Sequence, residues 1–277
     1  MSNEPWGQDV LVDFEDGIAW VQLNRPEKRN AMSVGLAKEM SATLDALEVD
    51  ERCGVIVLTG VGEAFSAGMD LKDFFRATDG VSDVERMRAY RSTRYWQWRG
   101  LIHYAKPTIA MVNGWCFGGA FTPLICCDLA IADEGATFGL SEINWGVIPG
   151  GVVSKAISTV MGDRKAMYYV MTGEKFDGKK AEEMGLINEA VPADRLRART
   201  TELAKVLLGK NPTVLRQARM AYKYARYMDW EQAAEYLTAK ADQTTFVDPE
   251  KGREHGLKQF LDDKTYRPGH GSYVREG

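Results

Sequence analysis

The sequence predicts an α/β body followed by a helical tail, and three observations carry that reading. Three short, continuous apolar runs, "GVIVLTG" (54–60), "TIAMVNG" (108–114) and "CDLAIAD" (127–133), have the look of strands covered on both faces. Helical periodicity separates the first two. After about Pro192 only helical patterns remain, in "ADRLRARTTELAKVLL", "TVLRQARMAYKYARYM" and "WEQAAEYLTAKADQTT". The expected organisation is a body over 1–195 and a helical region over 196–277. No Pro/Ser-rich linker separates them, so the tail is expected to pack on the body or on a neighbouring subunit.

Taken in order, "VLVDFEDGIAWVQLN" alternates apolar and polar residues about Asp16-Gly17, which predicts a hairpin. Ser33 is placed to cap a helix from about Val34 to Glu48, with Leu36, Met40, Leu44 and Leu47 on one face. A polar, glycine-containing loop follows the first buried strand. Two helical stretches come next, the second from about Val84 to His103.

The chain has 277 residues, is 45% hydrophobic and 27% charged, and carries a net charge of −4. That balance offers no basic field for nucleic acid or an anionic membrane. No apolar run is long enough to cross a bilayer. The first ten residues lack the basic-then-apolar pattern of a signal peptide, so a cytoplasmic protein is expected. Four cysteines (Cys53, Cys116, Cys126, Cys127) form no C-x-x-C pair, and the only histidines are His103, His255 and His270. A metal site is not expected, and the thiols read as buried and reduced.

Several segments are candidates for chemistry. "GEKFDGKK" (173–180) approximates a phosphate-binding loop, but Lys180 stands where a Ser or Thr is needed and a helical pattern precedes it. "RPEKRNAM" (25–32) gathers Arg25, Lys28 and Arg29, either as a solvated loop or as a phosphate contact. "FSAGMDL" (65–71) and "WCFGGAFT" (115–122) each follow a predicted strand, and the second opens a helix near Gly119. Two such turns are either ordinary glycine-rich connections or a pair of backbone donors, from Met69 and Gly119, converging on one carbonyl oxygen. Glu142, flanked by Phe138, Leu140, Ile143 and Trp145, is either a surface residue or a carboxylate whose pKa is raised by apolar company. The aromatic cluster "RYWQWRG" (94–100) and Tyr236 read first as packing.

Taken together, "FSAGMDL", "KPTIAMVNGWCFGGAFTPLICCDLAIAD", "FGLSEINWGVIPGG" and "TGEKFDGKKAEEMGLINEAV" resemble the crotonase (enoyl-CoA hydratase/isomerase) superfamily, over nearly the whole chain. The resemblance implies a spiral of ββα units with a C-terminal helical region, binding an acyl-CoA thioester. It implies that the Met69 and Gly119 amides hold the thioester oxygen, and it accounts for the false phosphate loop. Ordinary hydratases of the superfamily use two glutamates. Glu142 matches the second, whereas Thr122 stands at the first. A hydroxyl there makes the chain similar to the hydroxycinnamoyl-CoA hydratase-lyases, which hydrate feruloyl-, caffeoyl- or p-coumaroyl-CoA and cleave the product to an aromatic aldehyde and acetyl-CoA.

By the same resemblance, Lys28, Ala67, Gly68, Leu71, Ser141 and Trp145 match coenzyme A contacts, with Gly150 at the aromatic end. Phe74 and Thr238 stand where the hydratase-lyases carry tyrosines that contact the phenol, and Tyr236 lies two residues from Thr238. No separate cofactor or metal is implied, coenzyme A being part of the substrate. A homotrimer or a dimer of trimers is implied, with no nucleic acid or membrane partner. The competing readings are a hydratase or isomerase acting on another enoyl-CoA, and a non-catalytic acyl-CoA- or RNA-binding scaffold.

Overall fold

A computed structural model describes residues 6–267, 269 and 271–275. They fall into two compact units, one of residues up to 104 with 108–204, the other of 105–107 with the residues from 205 onward.

The first unit is built on a six-stranded sheet. Strands β1 (Val10–Glu15) and β2 (Ile18–Leu23) form the expected hairpin, pairing Glu15 with Ile18. Asp16 and Gly17, at φ +49° and +83°, make the two-residue turn whose twist suits a hairpin. Strand β3 (Val55–Gly60), buried along its whole length, lies parallel to β2. The helix Val34–Val49 crosses between them. The Ser33 hydroxyl caps it by accepting from the Leu36 amide at 3.0 Å, and Leu36, Met40, Leu44 and Leu47 are all buried.

From β3 onward the chain repeats one move. Each long strand of the main sheet turns a corner into a three-residue strand of a second sheet. β3 leads to β4 (Ala64–Ser66), β5 (Thr108–Val112) to β6 (Trp115–Phe117), and β7 (Leu129–Asp133) to β8 (Thr137–Gly139). The main sheet runs β1-β2-β3-β5-β7-β10 and the second β4-β6-β8-β9, with β9 at Lys175–Asp177 and β10 at Glu189–Val191. β4, β6 and β8 are mutually parallel. Asn113 ties two corners together, its amide donating to Gly60 O (2.9 Å) and Gly62 O (2.8 Å). Helical segments after β4, β6 and β8 complete the ββα spiral of a crotonase fold. Among the described residues no strand follows Val191.

This arrangement corrects one expectation. The turns bearing Met69 and Gly119 leave the short strands β4 and β6, and the buried strands β3 and β5 stand one corner upstream. The approximate phosphate loop is also resolved. It follows the helix Asp163–Thr172, and its lysines are engaged, Lys179 with Glu134 (2.7 Å) and Lys180 with Glu183 (2.7 Å).

The second unit is helical. Pro212–Ala225 and Trp230–Val247 pack on each other, with the Tyr224 and Tyr236 rings edge to face at 6.2 Å. Asn211 caps the first helix at the Val214 amide and holds Asp248. Neither helix buries a side chain fully, and Trp230 and Phe246 are 91% and 90% exposed. Among the described residues no helix is long and apolar enough to cross a membrane.

Candidate active site

The site grows from the parallel ends of β4 and β6. After β4 the chain bridges to Met32: the Met32 amide donates to Gly68 O (2.8 Å) and the Asp70 amide to Met32 O (3.0 Å). In a parallel bridge those bonds go to the residues on either side of Met69, so the Met69 N–H is turned away from Met32. It faces the turn after β6. A methyl group at Gly119 would stand 3.4 Å from Met69 N and 3.0 Å from Met69 Cγ, and one at Gly68 would stand 3.1 Å from Gly119 N. The two turns touch backbone to backbone, which brings the Met69 and Gly119 amides to one place.

The other half of the double glycine has a separate task. Gly118 sits at φ +52°, a conformation a side chain resists. A methyl group there would come within 3.2 Å of Glu142 Oε1 and 3.4 Å of Glu142 Cδ. Gly118 therefore admits the Glu142 carboxylate against the backbone, one residue before the Gly119 amide.

Glu142 lies in the short 3₁₀ turn Ser141–Trp145 that follows β8, ended by Gly146 in the left-handed region. Its Oε2 is buried and has no hydrogen-bond partner. Burial raises its pKa, and its own backbone amide offsets this only in part. The direction matches the sequence reading, but the surroundings correct it. Phe138 and Leu140 are buried, whereas Ile143 and Trp145 are 46% and 68% exposed. Burial against the glycine turn replaces part of the expected apolar ring. Thr122 is buried in the helix Phe121–Cys126, one turn beyond Gly119.

The basic loop separates into two roles. Arg25 is buried and donates to Asp70 (2.9 Å), Asp73 (2.8 Å) and Ala31 O (2.6 Å), so it is an internal brace. Burial pushes the Asp70 carboxyl up, but the Asp73 and Lys72 amides and Arg25 outweigh it and hold the group below its usual range. Lys28 is half exposed and pairs with Asp73 at 2.6 Å, and this bond with Arg25 lowers the Asp73 carboxyl as well. Arg29 lies over the Trp115 ring at 4.7 Å.

Of the remaining candidates, Ala67, Leu71 and Gly150 are exposed, Gly68 is buried and Ser141 half-buried. Phe74 is buried in the π-helical turn Leu71–Arg76, edge to face with Phe75 (5.5 Å) and Tyr90 (5.2 Å). Tyr236 and Thr238 belong to the second unit. Tyr236 is half-buried, with a hydroxyl that burial and Tyr224 make harder to ionise. Thr238 is exposed and donates to Ala234 O at 2.9 Å. Gly118 and Met32 were missed from the sequence. The doubled glycine was the available signal for the first, and nothing local marks the second.

All four cysteines are buried thiols outside any disulfide, and burial pushes the Cys116 thiol up. Among the described residues no group of three acidic, histidine or cysteine side chains gathers as metal ligands. His270 lies outside the described residues.

Comparison with known proteins places this geometry in a lineage. The chain is 57% identical over 266 residues to a hydroxycinnamoyl-CoA hydratase-lyase from Pseudomonas fluorescens, covering 96% of each chain. It is 30% identical to a probable mitochondrial enoyl-CoA hydratase from Dictyostelium discoideum, covering 90% of this chain and 86% of that one. The crystal structure of an enoyl-CoA hydratase from Shewanella pealeana superposes with a TM-score of 0.81 at 28% identity, covering 92% of this chain and 94% of that one. The family model for enoyl-CoA hydratase/isomerase matches residues 13–267, and the chain belongs to that family.

Proposed function

We propose that the chain is a hydroxycinnamoyl-CoA hydratase-lyase. It adds water across the side-chain double bond of feruloyl-, caffeoyl- or p-coumaroyl-CoA and then cleaves the product to an aromatic aldehyde, such as vanillin, and acetyl-CoA. The observation that carries the reading is the Glu142 carboxylate, with Oε2 buried and unpartnered, lying against Gly118 beside the touching Met69 and Gly119 turns. The likeness to the Pseudomonas fluorescens enzyme supplies the substrate class.

In this mechanism the Met69 and Gly119 amides receive the thioester oxygen, and each donor is worth roughly 3–4 kcal/mol as charge builds there. Glu142 takes a proton from water while the water oxygen bonds to Cβ and the π electrons move onto the thioester oxygen. The protonated Glu142 then returns that proton to Cα. For cleavage Glu142 takes the β-hydroxyl proton. The Cα–Cβ bond breaks, its electrons form the acetyl-CoA enolate at the two amides, and Glu142 protonates Cα. A carboxyl with a raised pKa suits a group that must both accept and donate. The Thr122 hydroxyl orients water or substrate and takes no proton. Lys28, Ala67, Leu71, Ser141 and Trp145 are assigned to coenzyme A, and Gly150 and Phe74 to the aromatic end. No cofactor beyond the substrate's own coenzyme A is required.

The nearly unburied helices of the second unit, with Trp230 and Phe246 open, support self-association as a homotrimer or a dimer of trimers. Buried thiols outside any disulfide support a reducing cytoplasm. A second reading, hydration of another enoyl-CoA without cleavage, is favoured by Phe74, which offers no hydroxyl to a phenol. Incubating the protein with feruloyl-CoA separates the two. Aldehyde with an equal amount of acetyl-CoA supports cleavage, and a β-hydroxy thioester as the only product rejects it.

A further inference from the structure

Gln97 is a buried amide that the reaction above does not use. It stands in the π-helical turn Tyr95–Gly100, where the widened turn interrupts the helical run that began at Asp83. Its Nε2 donates to Met32 Sδ at 3.3 Å and to Met69 Sδ at 3.4 Å. Only the NH₂ end of the amide has hydrogens to offer two thioether acceptors, so the contacts fix its orientation.

Both methionines border the candidate donor site. A methyl group at Gly119 would stand 3.0 Å from Met69 Cγ and 3.4 Å from Met32 Cε. Their backbones are bridged by the Met32–Gly68 and Asp70–Met32 bonds, which set the Met69 peptide; Met32 is further packed in the core, whereas the side chain of the partly buried Met69 is not fixed by these bonds. Methionine has three side-chain torsions and adapts to whatever space is open. An unrestrained Met69 side chain therefore has access to the ground in front of the two amides.

We propose that Gln97 is a positioning residue for the acyl-thioester site, holding both thioethers so that the Met69 and Met32 side chains stay clear of the Met69 and Gly119 amides. This rests on the function proposed above. Without the clamp, some molecules hold a methionine across the donors, and substrate has to displace it. Apparent affinity falls in proportion to the open fraction. Once substrate is seated the chemistry is unchanged, because Gln97 bonds to the two thioethers and supplies no group to the reaction.

The test is a coupling cycle read by two measurements: steady-state kinetics with p-coumaroyl-CoA, and the calorimetric Kd of acetyl-CoA, which needs no turnover. Gln97→Leu is expected to raise KM and Kd roughly three- to tenfold, in the range of coupling between touching residues. kcat and the pH profile stay at the parent's values. In a Met32→Leu/Met69→Leu background, which has no sulfur to clamp, Gln97→Leu leaves Kd where that background puts it. Gln97→Glu, which keeps the shape and loses the donor when ionised, serves if the leucine variant folds poorly, and it too raises Kd. An equal rise in both backgrounds, or a loss of kcat at unchanged KM, overturns the clamp. A parent that binds acetyl-CoA but releases no aldehyde overturns the proposed reaction alone, and the clamp is then judged on Kd. A parent that binds no acetyl-CoA overturns both.

Discussion

Glu142 and Gly118 meet across the turn after β6, with the carboxylate so close to the glycine that a methyl group there would stand 3.2 Å from Oε1. The carboxylate is thereby held beside the backbone that presents the Gly119 amide. The candidate acid–base group, from the turn after β8, and the candidate oxyanion donor, from the turn after β6, thus stand side by side.

Glu142→Gln keeps the shape and removes the titrating group. Turnover is expected to fall roughly 10²–10⁴-fold, with acetyl-CoA binding retained. Stability moves the other way. Because burial raises the Glu142 pKa, the stability tied to its protonated form is present at low pH and is lost as pH rises through the folded value. The glutamine variant therefore melts above the parent at neutral pH, and the gap closes toward the ordinary carboxylate range. Melting curves across pH check the sign. Near-parental turnover removes Glu142 from the mechanism.

Gly118→Ala tests the close approach. Gly80 provides the control, being also at positive φ (+74°) but with nothing within 4 Å of its missing side chain. Both substitutions carry the left-handed backbone penalty of about 1–2 kcal/mol. Only Gly118→Ala also crowds the carboxylate, so it should lose turnover while Gly80→Ala keeps it. Equal turnover in the two variants would separate Gly118 from the chemistry.

How much of this was legible in the sequence depended on distance along the chain. Ser33, the Asp16-Gly17 hairpin and the buried strands announce themselves within a few residues, and each stands where it was expected. The strands of the second sheet are three residues long, too short to display a period. The strands that deliver the two amides were consequently misassigned by one corner. Ile143 and Trp145 are neighbours of Glu142 in sequence, but both are largely exposed, and the 3₁₀ turn sends the Ile143 side chain about 120° from that of Glu142. The burial of Arg25 was illegible because its partners Asp70 and Asp73 lie 45 and 48 residues away.

That brace makes a prediction of its own. Arg25→Met removes the nearer of the two cations beside the buried Asp70, at 2.9 Å, and leaves only Lys28 at 3.8 Å; breaking a buried pair typically costs about 3–5 kcal/mol, and Lys28 holds the loss to the low end of that range. Asp70 is held below its usual range, so its stabilising contribution is present above the unfolded pKa of about 3.9 and is lost as pH falls through the lower folded value. The parent's advantage in denaturant midpoint should be full at neutral pH and shrink on acidification. A gap that stays constant down to the acid limb would mean that Asp70 does not carry it.

Thr122→Val removes the hydroxyl at nearly constant volume at a buried position. If that hydroxyl orients water or substrate, turnover falls by less than in Glu142→Gln. An equal loss, measured side by side, gives Thr122 a direct part in proton transfer.

The aromatic end is tested through Phe74. A para-hydroxyl on the substrate assists cleavage by pushing electrons toward Cβ through a quinone-methide-like form, so p-coumaroyl-CoA should far outrun cinnamoyl-CoA in kcat/KM. Phe74 contributes no hydrogen bond to that preference, since it is buried edge to face against Phe75 and Tyr90. Phe74→Tyr places a hydroxyl in the same packing. A buried hydroxyl without a partner costs about 1–3 kcal/mol, and one that gains a partner is worth about 0.5–1.5 kcal/mol. The free variant is therefore expected to melt below the parent, to bind p-coumaroyl-CoA more tightly and to treat cinnamoyl-CoA no better than before. The measurements are Tm without ligand and kcat/KM for both thioesters with both proteins. Tightening toward both substrates would mean that the new hydroxyl does not meet the phenol. Equal cleavage of the two thioesters by the parent would reject the quinone-methide route and turn the reading toward hydration of a different enoyl-CoA.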